Sequence, residues 1–417
     1  MHTTHLVVET REIDPVEDLL AYADPDRPLA WLRRGDGIVA SGRPLTEIRP
    51  AAEAGTSRVE TLATLWRTMS AQSEISDPVR LPGSGLVAFG AFTFDEDSAA
   101  DSVLVVPTEV LGRHGDRFWR TTIRLAGAPE GRDTLTTRPY GPHWAGTVGP
   151  GAQSPQGYQD SVRRALARIS DGEVSKVVLA RDLTGSIPAG SDLRRLVRAL
   201  STGYPDTWAF AVDGLIGASP ETLVTVHRGT VTARVLAGTI GRGADADADT
   251  AASAHLASSV KDLDEHQYAV QSVLASLRSH TRALAASEQP FLLKLPNLFH
   301  LATDVEGELA EGESALDLVR VLHPTAAVAG TPTAAAIAAI RELEPFDRGR
   351  YAGPVGWVDA AGNGEWAIAL RCAQFTGRQG EIGVTAYAGA GIVSGSDPES
   401  ELLETRVKFR PLVDALA

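Results

Sequence analysis

The chain has 417 residues, a net charge of -14, a pI near 5.2 and a single cysteine, Cys372. This length suggests two or three domains or one large sandwich, with ample chain to bury a core. The acidity disfavours nucleic acid and anionic membrane surfaces as partners, and one cysteine excludes an internal disulfide framework or a thiolate zinc cluster. Cys372 reads as a small buried hydrophobe in a reduced compartment. The first residues lack the basic and apolar regions of a secretory signal. The longest apolar stretch, residues 325–340, is mostly alanine broken by Gly330 and Pro332, so it fails as a membrane span. A cytoplasmic, soluble protein is expected.

Residues 1–138 alternate short β-type runs at 6–8, 37–40, 86–89 and 102–106 with one helical pattern at 57–69. No chemistry is legible there. A Gly/Pro-rich passage at 139–151 reads as a connector, which places a boundary near residue 150. Ser154-Pro155 then offers a hydroxyl cap before a first-turn proline, and Tyr158, Val162, Leu166 and Ile169 recur at helical spacing. Asp171-Gly172 ends that helix, and 174–183 reads as a strand. Residues 223–226 and 231–234 flank Arg228-Gly229 as a hairpin.

The repeated Ala-Asp sequence at 244–249 reads as a solvated loop, and 251–284 as one long helical region. Strands are expected at 353–358, 366–375 and 382–388, followed by a terminal helix. Strand pairs interleaved with helices suggest an α+β architecture with antiparallel sheets.

The second half also concentrates the residues that can do chemistry. The run Gly389-Ala390-Gly391-Ile392 reads as a turn whose exposed amides could cradle an anion. Glu401 and Glu404 beyond it share a helix face, and Asp262 and Glu265 repeat their spacing on the earlier helix. Each pair alone reads as a solvated face; together, four oxygen ligands on two helices suit a hard divalent ion. Lys176, at the start of the apolar Lys-Val-Val-Leu strand, reads either as a snorkelling strand-edge lysine or as a general base. Glu221, after Ser219-Pro220, reads as a surface glutamate or a general acid. Arg371, in a predicted strand, needs a partner, whether a structural carboxylate or a ligand.

Taken in order, the segments Lys176 to Arg181, Ala218-Ser219-Pro220-Glu221, Leu236-Ala237-Gly238-Thr239, Asp262 to His266, His323-Pro324-Thr325, Tyr351 to Gly356, Leu370 to Ala373 and Gly389 to Lys408 resemble the chorismate-utilising enzymes, and within them the isochorismate synthases. The resemblance covers 154–410, while 1–150 looks like the divergent N-terminal portion of the same fold and 151–417 like the chorismate-binding catalytic region. It implies an α+β fold like that of anthranilate synthase component I: two large antiparallel β-sheets packed face to face with helices outside.

The resemblance assigns Lys176 as the base that activates water, since members that use ammonia usually carry glutamine there. Glu221 becomes the acid that protonates the departing C4 hydroxyl. Glu265 and Glu404 are implied as direct Mg2+ ligands, with Asp262 and Glu401 reaching the ion through water. Arg371 and Tyr351 are implied at the enolpyruvyl carboxylate, and Lys408 at the ring carboxylate with the amides of Gly389 and Gly391. Thr239 and His300 are implied as further substrate contacts. Chorismate is a dianion, so an acidic protein that binds it must supply local positive charge from lysine, arginine and a metal. No amidotransferase subunit is expected, and the protein is expected to be a monomer. The rival within the family is salicylate synthase, which also eliminates pyruvate; its members tend to carry threonine where this chain has Ala327.

Overall fold

A computed structural model describes residues 5–50, 56–129, 135–243, 245–294 and 298–417, without the side chains of Thr239, Lys261, Glu265 and Leu298. The sheet is organised by one long strand, Val103–His114. Along one edge it pairs with Asp36–Ile48. Along the other, its first residues pair with Val87–Ala91 and its last with Arg117–Leu125. Pro44, which has no N–H to give, marks the register shift in Asp36–Ile48 that lets the two halves diverge.

Two antiparallel arms grow from this strand. The first runs through Asp36–Ile48, Ala30–Arg33, Trp208–Val212, Leu215–Ser219, Cys372–Arg378 and Glu381–Ile392 to Lys176–Pro188. The second runs through Val87–Ala91, Pro354–Asp359, Gly364–Ile368, Thr222–His227 and Thr230–Gly241 to Leu298–Leu309. The expected pair of facing sheets is thus two arms of one hydrogen-bonded network. One apolar core fills the space between them, with Trp31, Phe210 and Leu215 from the first arm and Phe89, Val224, Trp357 and Trp366 from the second. Each buried aromatic removes roughly 150–250 Å² from water, so these rings dominate the packing.

Helices cover the outer faces. Leu196, Val197 and Leu200 of Arg194–Gly203 and Phe409 and Leu412 of Pro398–Leu416 pack on Phe375, Val384 and Ala386 of the first arm. Ala315–Leu322 and Val260–Leu277 lie against the second. The predicted early helix forms as Arg58–Ala71 with Ser57 as its cap, and Pro155–Ser170 starts at Ser154 as expected. Arg228 and Gly229, at φ 50° and 81°, make the hairpin turn that needs two left-handed residues.

Four expectations need correction. Thr147–Pro150, within the expected connector, is a short strand on Lys176–Pro188. Residues 246–249 are helical: Asp245 caps Ala246–Ser258, alanine favours the helix, and acidic residues suit its first turn. The long helical region breaks at Ser259, whose hydroxyl caps Val260–Leu277, and Thr281–Ala286 is a strand on Leu298–Leu309. The single strand expected over 366–375 is two strands on different arms, because Arg371 turns the chain between them at φ 49°. No described helix is long and apolar enough to cross a membrane.

Candidate active site

The site arises where the chain crosses between the arms. Leu215–Ser219 belongs to the first arm and Thr222–His227 to the second, so Pro220 and Glu221 sit at the crossing. Gly364–Ile368 and Cys372–Arg378 make the same change of arm through Arg371. The two crossings are bonded together. Ile368 N donates to Glu221 O at 3.0 Å, Ala218 N to Arg371 O at 3.2 Å, and Ser219 Oγ to Ile368 O at 2.5 Å. Two residues 150 positions apart therefore share one rigid corner.

A cavity of about 1790 Å³ opens at this corner. Its walls bring together Lys176, Glu221, His300, Tyr351, Arg371, Gly389, Gly391 and Lys408, along with Asp262, Glu401 and Glu404. All the expected site residues with described side chains thus meet in one place. Thr239 and Glu265 lie outside the described side chains; their backbones are in Thr230–Gly241 and Val260–Leu277.

Burial raises the Glu221 carboxyl above its ordinary range, opposed by the charges of Lys176, Lys408 and Arg371. Its carboxyl makes no hydrogen bond to any described residue, which favours the neutral acid. Lys176 likewise has no hydrogen bond or ion pair among the described residues. The Arg371 guanidinium also has none, and burial disfavours its charge despite Tyr351, Glu404 and Glu221 nearby. A partly buried guanidinium left open toward a cavity is suited to a carboxylate ligand.

Tyr351 is buried and stacks on Tyr387, with centroids 5.1 Å apart and planes at 16°. Burial brings His300 down to about 4, opposed by its bond to the Gly238 backbone, so its ring is neutral at pH 7. Gly389 and Gly391, expected in a turn, lie instead in the strand Glu381–Ile392 opposite Ala180 and Val178. Gly389 presents its carbonyl to Lys408 Nζ at 2.8 Å, and the same ammonium lies 2.5 Å from Glu404 Oε1.

The acidic side fits a cation in its chemistry. Glu401 and Glu404 share one helix face as expected, and burial together with the Glu404 charge raises the Glu401 carboxyl. Such a pair is relieved by a hard cation. Asp262 faces the same cavity from the other helix. Among the described residues no three such side chains already stand in ligand geometry, and the Glu265 side chain is not among them.

Some contributors were missed. His266, buried, bridges Ala237 O at 3.2 Å and Thr303 Oγ1 at 2.7 Å, pinning the Asp262 helix to the second arm. Thr325 Oγ1 is buried without a partner among the described residues, in a segment that also lines the cavity. Both lay inside quoted motifs, yet nothing in their spacing showed a role. Asp264 also lines the cavity.

A family model described as chorismate binding enzyme matches residues 2–417. The chain belongs to the chorismate-binding enzymes. It is 36% identical to isochorismate synthase DhbC of Bacillus subtilis over 402 residues, 94% of each chain. With the salicylate biosynthesis isochorismate synthase of Pseudomonas aeruginosa it shares 32% identity over 446 residues, 99% of this chain and 90% of that one. The structure of MenF, the menaquinone-specific isochorismate synthase from Escherichia coli, superposes with a TM-score of 0.77, at 24% identity over 99% of this chain and 95% of that one. That likeness establishes the shared α+β fold of these chorismate-binding enzymes.

Proposed function

We propose that the protein is a Mg2+-dependent isochorismate synthase that isomerises chorismate to isochorismate in the cytoplasm, with residues 151–417 carrying the chemistry. The observation that carries this reading is the meeting in one cavity at the arm crossings of Lys176, Glu221 and an Arg371 that has no partner among the described residues. Its relatives named as isochorismate synthases support it. Lys176 takes a proton from a water that attacks ring carbon C2. The ring double bonds shift, and Glu221 gives its proton to the C4 hydroxyl, which leaves as water. One water enters and one leaves, so the product is an isomer.

Arg371 and Tyr351 hold the enolpyruvyl carboxylate, and Lys408 faces the ring carboxylate beside Gly389 and Gly391. Thr239 and His300 contact the ring, with His300 as a neutral donor or acceptor. Glu265 and Glu404 would ligate Mg2+ directly, and Asp262 and Glu401 through water. When bound, the ion neutralises and clamps the ring carboxylate. Positioning and fixed charge then lower the barrier. The enzyme works as a monomer without an amidotransferase subunit. Incubating purified protein with chorismate and Mg2+, and resolving the products by chromatography, tests the reading: isochorismate must accumulate, and unchanged chorismate overturns it.

A further inference from the structure

The strand Lys176–Pro188 is fully paired along one edge, from Val177 opposite Ile392 to Pro188 opposite Glu381. Its other edge is covered only at the ends. Gly330–Thr331 lies against Val177 and Lys176, and Thr147–Pro150 against Ser186 to Leu183. Between them Val178 N reaches Ala329 O at 2.8 Å, and beyond that no strand continues among the described residues. Buried backbone groups left unpaired in such a gap are costly.

Two side chains fill it. Arg348 Nη2 donates to Val178 O at 2.8 Å, and Ala180 N donates to Glu344 Oε1 at 2.7 Å. Arg348 and Glu344 are themselves joined by two bonds, of 2.6 and 2.8 Å, and both are buried. Arg348 Nη1 also donates to Val328 O at 2.9 Å, next to Ala327 on the cavity wall. The guanidinium stands 4.4 Å from the Phe94 ring and 5.9 Å from that of Tyr351. One ion pair therefore ties the strand that bears Lys176, the segment that bears Ala327 and the turn that bears Tyr351.

An apolar pair of the same volume could pack here as stably. It could not bond Val178 O and Ala180 N. We propose that Glu344 and Arg348 are positioning residues, a side-chain substitute for the missing strand that fixes how Lys176 is presented to the cavity. The proposal rests on the reading of Lys176 as the base. Lys176 is two residues from Val178 and so on the same face of the strand, and small displacements of a reacting group lower turnover sharply.

The test uses the full chain with Glu344→Leu/Arg348→Met combined, Glu344→Gln as a milder change, and Arg348→Lys beside Arg348→Met. Amide exchange at Ala180, thermal unfolding, and kcat and KM for chorismate are measured. Expected are exchange at Ala180 faster by about tenfold or more, kcat lower by about tenfold and KM changed by less than about threefold. Arg348→Lys should recover part of the kcat lost in Arg348→Met. Faster exchange with unchanged kcat reduces the pair to a structural role and overturns the proposal, as does unchanged exchange at Ala180. If the double variant does not fold, Glu344→Gln decides by the same two readings. Lys176→Ala is run in parallel: full activity there defeats the base reading, while exchange at Ala180 still reports on the pair.

Discussion

A methyl group placed on Gly391 would stand 3.1 Å from Lys176 Cε. The contact is with the flexible end of a side chain, so the backbone can accept Gly391→Ala while the end of the Lys176 side chain has to move. Gly391→Ala is therefore expected to fold with little change in melting temperature and to lose about tenfold or more in kcat. Gly389→Ala differs, because its methyl would stand 2.6 Å from Leu179 O in the partner strand. That variant should lose about 1–3 kcal/mol of stability. Denaturant unfolding and steady-state kinetics on the two variants check the contrast.

Lys176→Ala and Glu221→Gln are each expected to abolish isochorismate formation in a folded protein. Glu221 carries a raised folded pKa, so in the window above the unfolded value the native state holds more protons than the unfolded one. Its contribution to stability is then full below the unfolded pKa and falls as pH rises through the folded one. Glu221→Gln removes that loss, so it should match or exceed the parent in stability at pH 7, and turnover in the parent should fall as Glu221 ionises. A folded Lys176→Ala variant with full activity would falsify the base assignment.

These residues were legible because their types and order follow a known pattern, and the helix caps at Ser57 and Ser154 were legible because a cap acts locally. What brings Glu221 to Arg371 was not. It depends on a left-handed Arg371 and on two strands changing arms, neither of which leaves a mark in hydropathy. Gly389 and Gly391 looked like a turn because glycine is permissive, whereas here the strand alternation and the close approach of Lys176 explain one of them. Glu344 and Arg348, four apart, carry no sequence signal that separates them from any other helix-spaced ion pair, and the partly covered strand edge is what gives them a purpose.

His300, held near pH 4 against about 6.5 in an unfolded chain, gives a second pH test. A base with a lowered folded pKa takes up its proton first in the unfolded state. Its contribution is present above about 6.5 and is lost as pH falls toward 4, at no more than about 1.4 kcal/mol per pH unit. The stability difference between the parent and His300→Gln should shrink over that window. Imidazole NMR should show no titration of His300 between pH 6 and 8; a midpoint near 6.5 removes the argument.

The acidic pairs predict a joint effect. Glu265→Ala or Glu404→Ala should weaken binding of Mg2+ and of chorismate together, because the ion and the ring carboxylate are proposed to share one coordination sphere. Glu404→Ala also frees Lys408 from its 2.5 Å ion pair, so chorismate binding without metal should not weaken in that variant. Calorimetry with and without Mg2+ separates the two. Unchanged chorismate affinity in both variants with Mg2+ present takes the metal out of the site.

The final prediction concerns which chorismate reaction is performed. In the proposed mechanism Lys176 is a base for water, and Ala327, in a segment that lines the cavity, stands where, by the family resemblance, salicylate formers tend to carry threonine. The protein should therefore consume chorismate without ammonia and release isochorismate with little pyruvate. Pyruvate release needs a further hydrogen transfer to the enolpyruvyl group, and in the proposed binding mode that step would depend on how Arg371 and Tyr351 orient the group over the ring. Ala327→Thr should raise the pyruvate fraction if that wall sets the orientation. Purified protein is incubated with chorismate and Mg2+, with and without an ammonium salt, while a coupled assay follows pyruvate. Stoichiometric pyruvate with fluorescent salicylate moves the assignment to salicylate synthase, and anthranilate that forms only with ammonium overturns the role given to Lys176.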